Sequence, residues 1–169
     1  MRLIASGMMC LVVLSIGFCV EASKKETARE LQELIRFLLF AGQEIDARGS
    51  MLEEVFQKAE GITQGATREF VGQVAKRLKE GGDFPQEWDR AVCEIYSKIG
   101  WNTKEEELIL HCASDFLLSE RGIVKEQLFF DAKQLSNLYQ ERTERLEKEC
   151  KLCRVLSFSA AAFLLIIIC

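Results

Sequence analysis

Residues 26–47, with the sequence ETARELQELIRFLLFAGQEIDA, decide the fold class of this chain. Phe37 and Phe40 lie beside a run of aliphatic residues and widen its apolar surface. The aliphatic residues recur at three- and four-residue spacing, which places them on one face of an α-helix. They are Leu31, Leu34, Ile35, Leu38 and Ile45. A helix with so broad an apolar face must pack against other elements, and the remaining sequence predicts that these are helices too.

Two of those helices follow directly. Gly49-Ser50 should end the first helix, and Ser50 with Glu53 matches a capping box at the start of the second. A third helix is predicted at about 67–80 and is closed by Gly81-Gly82. Its expected buried residues are Phe70, Val71, Val74, Ala75 and Leu78.

A fourth helix should open at Asp83-Phe84-Pro85, because proline is tolerated in the first turn. Its predicted inner face consists of Trp88, Ala91, Val92, Cys93 and Ile95. Asn102 or Thr103 should cap a fifth helix, and Thr103 with Glu106 fits a capping box. The expected apolar residues of that helix are Leu108, Ile109, Cys112, Phe116 and Leu117.

A long last helix is predicted from about 123 to 154, after a break at Gly122. Beyond an apolar seam it becomes polar, and Glu141 with Arg145 forms an i,i+4 pair there, which suits a helix that is not fully buried. The seam consists of Leu128, Ala132, Leu135 and Tyr139. We therefore expect an all-α fold, a compact multi-helix bundle of about six helices.

Charged residues are confined to the middle of this 169-residue chain. All 26 Asp and Glu and 21 of the 22 Lys and Arg lie within residues 21–154, and only Arg2 lies outside. The flanking segments 3–20 and 155–169 carry no charged side chain, so each is predicted to form a transmembrane helix. The predicted domains are an N-terminal transmembrane helix at 1–20, a helical bundle at 21–154 and a C-terminal transmembrane helix at 155–169.

The basic residues beside these segments predict their orientation. Lys24, Lys25, Arg29 and Arg36 closely follow the first segment, and a second group of bases, ending at Arg154, precedes the last one. Because Lys and Arg favour the cytoplasmic side, the bundle should be cytoplasmic. The alternative is a signal peptide cleaved ahead of Ser23, which would release a secreted helical binding module.

Composition and motifs argue against several function classes. The formal net charge of −4 does not suit a nucleic-acid binder, which needs an excess of bases to displace counterions from phosphates. A single Pro and no Asn-Gly or Asp-Gly turn argue against an all-β fold. The sequence contains no Gly-rich phosphate loop, HExxH motif or nucleophile elbow. We therefore predict no enzymatic activity, no catalytic residue, no cofactor and no metal.

The cysteines and the single histidine do not change that expectation. Cys150 and Cys153 form a lone C-x-x-C, without the second pair of a zinc ribbon or the βαβ context of a thioredoxin-like site. A thiol redox membrane protein is the alternative function they leave open. Cys93 and Cys112 are expected in the core, and His111 should not face Cys112 because adjacent helical residues point about 100° apart.

The order and spacing of motifs along nearly the whole chain resemble the stage III sporulation protein AB family. The chain differs from the family pattern at Cys112-Ala113, at 116–120 and at Leu156-Ser157, where glycines are expected. The matching features, in order, are Gly17-Phe18 in the first apolar segment, Ala22 and Arg29, Leu31 and Leu34, Glu44-Ile45, Leu52-Glu53, Trp88 with Ala91, and a charged helix before the last apolar segment.

This resemblance implies a place in the mother-cell membrane, within an assembly that connects mother cell and forespore during sporulation. It implies a bundle similar to one cytoplasmic repeat of the type II secretion F platform proteins. The implied partners are other stage III sporulation membrane proteins, a cytoplasmic sporulation ATPase and the lipid bilayer, with a homo-oligomer as a further possibility.

Four residues are candidates for contacting those partners. Glu44 is one, although it can form a surface ion pair with Arg48 at i,i+4. Ser119 and Glu120 lie at a predicted helix break, where a cap or turn is the alternative role. Arg29 is the fourth candidate, for which solvation or contact with lipid headgroups is the alternative.

Overall fold

The computed structural model describes the backbone of residues 26–168 and the side chains of residues 26–95, 99–149 and 151–152. Six helices and no strand are found in this described part of the chain. The all-α prediction is therefore confirmed. The helices are α1 at residues 26–48, α2 at Leu52–Glu60, α3 at Gly65–Lys79, α4 at Phe84–Ile99, α5 at Thr103–Asp115 and α6 at Arg121–Ile168.

Residues Arg29–Gln140 form a compact helical bundle, and the described residues 26–28 and 141–168 belong to a second unit. Trp88 is fully buried in the bundle, its ring lies 4.8 Å from that of Phe70, and its indole N–H donates to the carbonyl oxygen of Ile109 at 2.9 Å. The other aromatic rings around it come from four different elements. They are Phe37, Phe56, Phe84 and Phe116.

Most of the predicted core is confirmed. The apolar faces of α1, α3 and α6 are largely buried as their spacing predicts. The partly buried exceptions are Ile35, Phe40, Leu78 and Tyr139. The prediction that Cys93 lies in the core is wrong, because its side chain is exposed on α4. It directly follows the buried Val92 and is therefore rotated about 100° away from the inner face. Leu117 is also 52% exposed, because it lies in the turn after α5 rather than on that helix.

Both predicted capping boxes are wrong in detail. The second helix begins at Leu52 with Met51 as its N-cap and no side-chain cap, while the hydroxyl oxygen of Ser50 accepts a hydrogen bond from Lys58 at 3.4 Å. The box of α5 lies one residue earlier than Thr103–Glu106: the Asn102 side chain accepts from the Glu105 N–H, and the Glu105 carboxylate accepts from the Asn102 N–H. Asn102, the other predicted cap, is therefore correct.

The last helix starts earlier than predicted. Gly122 lies in the first turn of α6 and does not break it, since the break falls at residues 116–120. The predicted Glu141–Arg145 ion pair is present at 2.9 Å.

The two predicted transmembrane segments fall outside the residues whose side chains are described. Segment 1–20 lies wholly outside the described backbone, and segment 155–168 is described only as helical backbone. Within the described residues, no helix is long and apolar enough to cross a membrane.

Candidate functional site

Glu44, one of the predicted contact residues, links α1 to α2 through ion pairs. Its carboxylate forms the predicted ion pair with Arg48 at 3.3 Å and a second ion pair with Lys58 of α2 at 3.0 Å. The Glu44 side chain is 13% exposed. Because both oxygens already have cationic partners, its evident role is to hold the end of α1 against α2.

Arg29 lies near the other end of α1. It donates from Nη2 to Oε1 of Gln64 at 3.0 Å, just before α3 begins. Fifteen residues of helix separate it from Glu44, or roughly 22 Å at about 1.5 Å per residue. The two side chains therefore do not belong to one site.

Ser119 and Glu120 lie in the exposed linker between α5 and α6. The carbonyl oxygen of Glu120 accepts from the Val124 N–H at 3.0 Å, which places Glu120 at the N-cap position of α6. The next residue, Arg121, has its guanidinium against Gly49 at the end of α1. The structure thus brings Glu44, Ser119 and Glu120 to the same end of the bundle, away from Arg29.

An apolar groove of about 530 Å³ lies between α1 and α6. Gly42 of α1 lies at this contact, and a Cβ on it would lie 3.5 Å from the Lys125 backbone of α6, an ordinary van der Waals distance. Leu39 contributes to the α1 wall, and Phe129 and Phe130 to the α6 wall. The two phenylalanines are 61% and 53% exposed, which is unusual for side chains of this size.

A polar cluster lies on the opposite side of Leu128, between α5 and α6. Asp131 is fully buried, Asp115 nearly so, and the exposed ring of His111 has its Nδ1 3.2 Å from Oδ2 of Asp115. Burial, a hydrogen bond with Asp115 and the charge of that residue raise the pKa of Asp131 to about 7. Cys112 is buried beside them and donates from Sγ to the carbonyl oxygen of Leu108 at 3.2 Å.

Burial and the nearby Asp131 carboxylate raise the pKa of the Cys112 thiol far above its ordinary value, so the thiol stays protonated. The exposed His111 and buried Cys112 do not form a thiol–imidazole pair, in agreement with their predicted orientations. His111, Asp115 and Asp131 each offer one potential metal ligand, and these three atoms lie within 4.8 Å of one another. The side chains of Cys150 and Cys153 lie outside the described residues.

The family model for stage III sporulation protein AB matches residues 2–169. The chain belongs to this family. Membership in the stage III sporulation protein AB family supports a role in sporulation, and the family is not a known enzyme family.

A solved structure of a stage III sporulation protein AB is similar to this bundle, with a TM-score of 0.66 and 13% sequence identity. The match covers 72% of this chain and 97% of the other. At that identity the similarity establishes the fold that the two proteins share. No curated protein sequence matches the chain.

The polar cluster of His111, Asp115 and Asp131 was not predicted from the sequence. Its signal is present in the seam of α6, because Asp131 lies three residues after Leu128 and four before Leu135, both fully buried. A carboxylate at such a position must find a partner inside the bundle. Asp115 of α5 is that partner, and no local pattern in the sequence connects it to Asp131.

Proposed function

We propose that this chain is a non-enzymatic membrane platform subunit of a channel-like assembly between mother cell and forespore, and that its bundle docks a cytoplasmic ATPase. The observation that carries the proposal is the family match over residues 2–169, which includes both uncharged ends together with the bundle. The proposal places two spans in the mother-cell membrane and residues 21–154 in the cytoplasm, following the distribution of Lys and Arg.

The groove between α1 and α6 is the surface we propose for the ATPase. Phe129 and Phe130 form an apolar centre, and Lys125, Glu126 and Lys133 form a charged rim around it. An apolar centre inside a polar rim is the usual anatomy of a protein–protein interface, and buried aromatic side chains supply much of the binding energy. The phenylalanines are more than half exposed, so the bundle does not need them for its own core.

The test uses the full-length chain, affinity-tagged, in sporulating cells of its own organism. Extraction in mild detergent is followed by quantification of the co-purified sporulation ATPase. Phe129→Ser combined with Phe130→Ser should reduce ATPase recovery about tenfold or more, since aromatic anchors often contribute 2 kcal/mol or more each.

The matched control is Ile62→Ser, which removes a partly exposed apolar side chain from the turn between α2 and α3. That variant should recover ATPase as the wild type does. Equal ATPase recovery from the double variant and the wild type would exclude the groove as the docking surface. Failure of the wild type itself to recover ATPase would contradict the platform proposal as a whole.

A further inference from the structure

Two carboxyl groups meet inside the bundle, and among the described residues neither forms an ion pair with Lys or Arg. Asp115 of α5 is 6% exposed and Asp131 of α6 is 1% exposed. Two buried carboxylates repel each other, so the pair must retain a proton or gain a cation. The side chain that faces Asp115 is His111, whose Nδ1 lies 3.2 Å from Oδ2 of Asp115.

One of the four carboxyl oxygens of this pair has no hydrogen-bond partner among the described residues. Oδ2 of Asp131 is buried and accepts no hydrogen bond within the described part of the chain. A buried carboxylate oxygen left in this way is costly, because its hydration is lost and nothing replaces it. Asp131 forms one cluster with Asp115 and His111. One potential ligand atom from each of the three side chains lies within 4.8 Å of the other two.

The arrangement is close to that of a metal site. Ligand atoms around one Zn²⁺ lie roughly 3–3.5 Å apart, given metal–ligand distances of about 2.0–2.2 Å. The His111–Asp115 pair is already separated by 3.2 Å. The His111 side chain is 63% exposed, so its ring can turn toward an ion without disturbing the core.

We propose that His111, Asp115 and Asp131 bind one divalent transition-metal ion, represented by Zn²⁺, which joins α5 to α6. An imidazole nitrogen with two carboxylate oxygens suits Zn²⁺ and neighbouring transition metals. Ca²⁺ is disfavoured because it requires six to eight oxygen ligands. The exposed side of His111 leaves the remaining coordination position to water.

Zn²⁺ binding by the full-length chain in detergent, stripped of metal beforehand, tests the proposal by calorimetric titration. The wild type should bind one equivalent at this site. His111→Gln and Asp131→Asn should each weaken that binding roughly 10–100-fold or more, since changes even in the outer shell of a metal site have effects of that size. His111→Gln changes an exposed side chain, so it tests the site without a risk to folding.

Two controls separate this site from other ligands. Glu107→Gln removes an exposed carboxylate from the same helix and should leave Zn²⁺ binding unchanged. Cys150→Ser with Cys153→Ser removes the C-x-x-C thiols and should also retain the equivalent bound at His111. The proposal is overturned if the wild type binds no Zn²⁺, or if all binding survives His111→Gln and disappears with the two cysteines.

Discussion

The single residue Glu30 joins two helices of the bundle through its carboxylate, which lies beside Gly65. The Glu30 carboxylate, from α1, accepts a hydrogen bond from the Thr67 N–H at 3.0 Å in the first turn of α3. This helix has no cap of its own, because the Gln64 side chain does not bond to it. Gly65 lies between them with φ of +61°, and a Cβ there would collide with the Glu30 carboxylate.

We predict that Gly65→Ala destabilises the bundle more than Gly100→Ala does. Gly100 has a similar φ of +69° but open space around its Cα, so its change measures backbone strain alone, about 1–2 kcal/mol. Gly65→Ala should cost about 1–2 kcal/mol more, because it also displaces the carboxylate that caps α3. Thermal or denaturant unfolding followed by circular dichroism measures both values.

A double variant checks the cause. In a Glu30→Ala background the carboxylate is already gone, so the cost of Gly65→Ala should fall to that of Gly100→Ala. Equal costs of Gly65→Ala with and without Glu30 would show that the carboxylate does not cap α3.

The candidate contact residues show what local spacing can and cannot predict. The Glu44–Arg48 pair was predictable because both residues lie on one helical face four positions apart. The second partner of Glu44, Lys58, is fourteen residues away in sequence and meets it only when α2 packs on α1. The same is true of Asp115 and Asp131, whose meeting depends on the packing of α5 against α6.

At the scale of elements, helical periodicity predicted the type and number of the helices well. It predicted their ends less well, because ends depend on which of several neighbouring polar groups captures the backbone N–H. Thr103 and Asn102 both fit a cap by type, and Asn102 holds that position with a buried Glu105 as the other half of its box. Ser50 fits a cap as well, but Lys58 engages its hydroxyl.

The carboxyl pair between α5 and α6 should make stability depend on pH in metal-free conditions. Burial is the main cause that raises the pKa of Asp131 from 3.8 to about 7, followed by its interactions with Asp115. Cys112 and His111 also face it, and each acts in the opposite direction. The folded state therefore binds this proton more tightly than the unfolded state.

It follows that the stabilising effect of the Asp131 proton is complete below about pH 4 and is lost as pH rises toward 7. We predict that Asp131→Asn, which cannot ionise, gains stability relative to the wild type between pH 5 and pH 8. The gain should be on the order of 2–3 kcal/mol, measured by unfolding in the presence of EDTA. A difference between the two proteins that stays constant with pH would contradict it.

For the whole molecule, the predicted domain organisation rests on the division of charge along the chain. Uncharged ends around a charged middle predict a membrane protein with one polar domain, and the bundle at Arg29–Gln140 lies within that middle. The sequence also carried the family resemblance, which the family match over residues 2–169 confirms. The partner surface could not be predicted, because it depends on which apolar residues the packed bundle leaves exposed.

The structure also indicates where a topology reporter can be inserted. The Gly49-Ser50 turn is a poor position, since Arg121 packs on Gly49 and Lys58 bonds to Ser50. The turn between α3 and α4 is better, because Glu80 and Gly81 are exposed and nothing lies within 4 Å of the position of a Cβ on Gly81.

The platform proposal requires that the bundle lie on the cytoplasmic side of the membrane, and this can be measured. A reporter that fluoresces only in the cytoplasm, and in parallel one active only outside it, should be inserted after Gly81 of the full chain in intact cells. We predict a cytoplasmic signal there and an external signal from the same reporters appended after Cys169. An external signal from the insertion after Gly81 would place the bundle out of reach of a cytoplasmic ATPase and contradict the platform proposal.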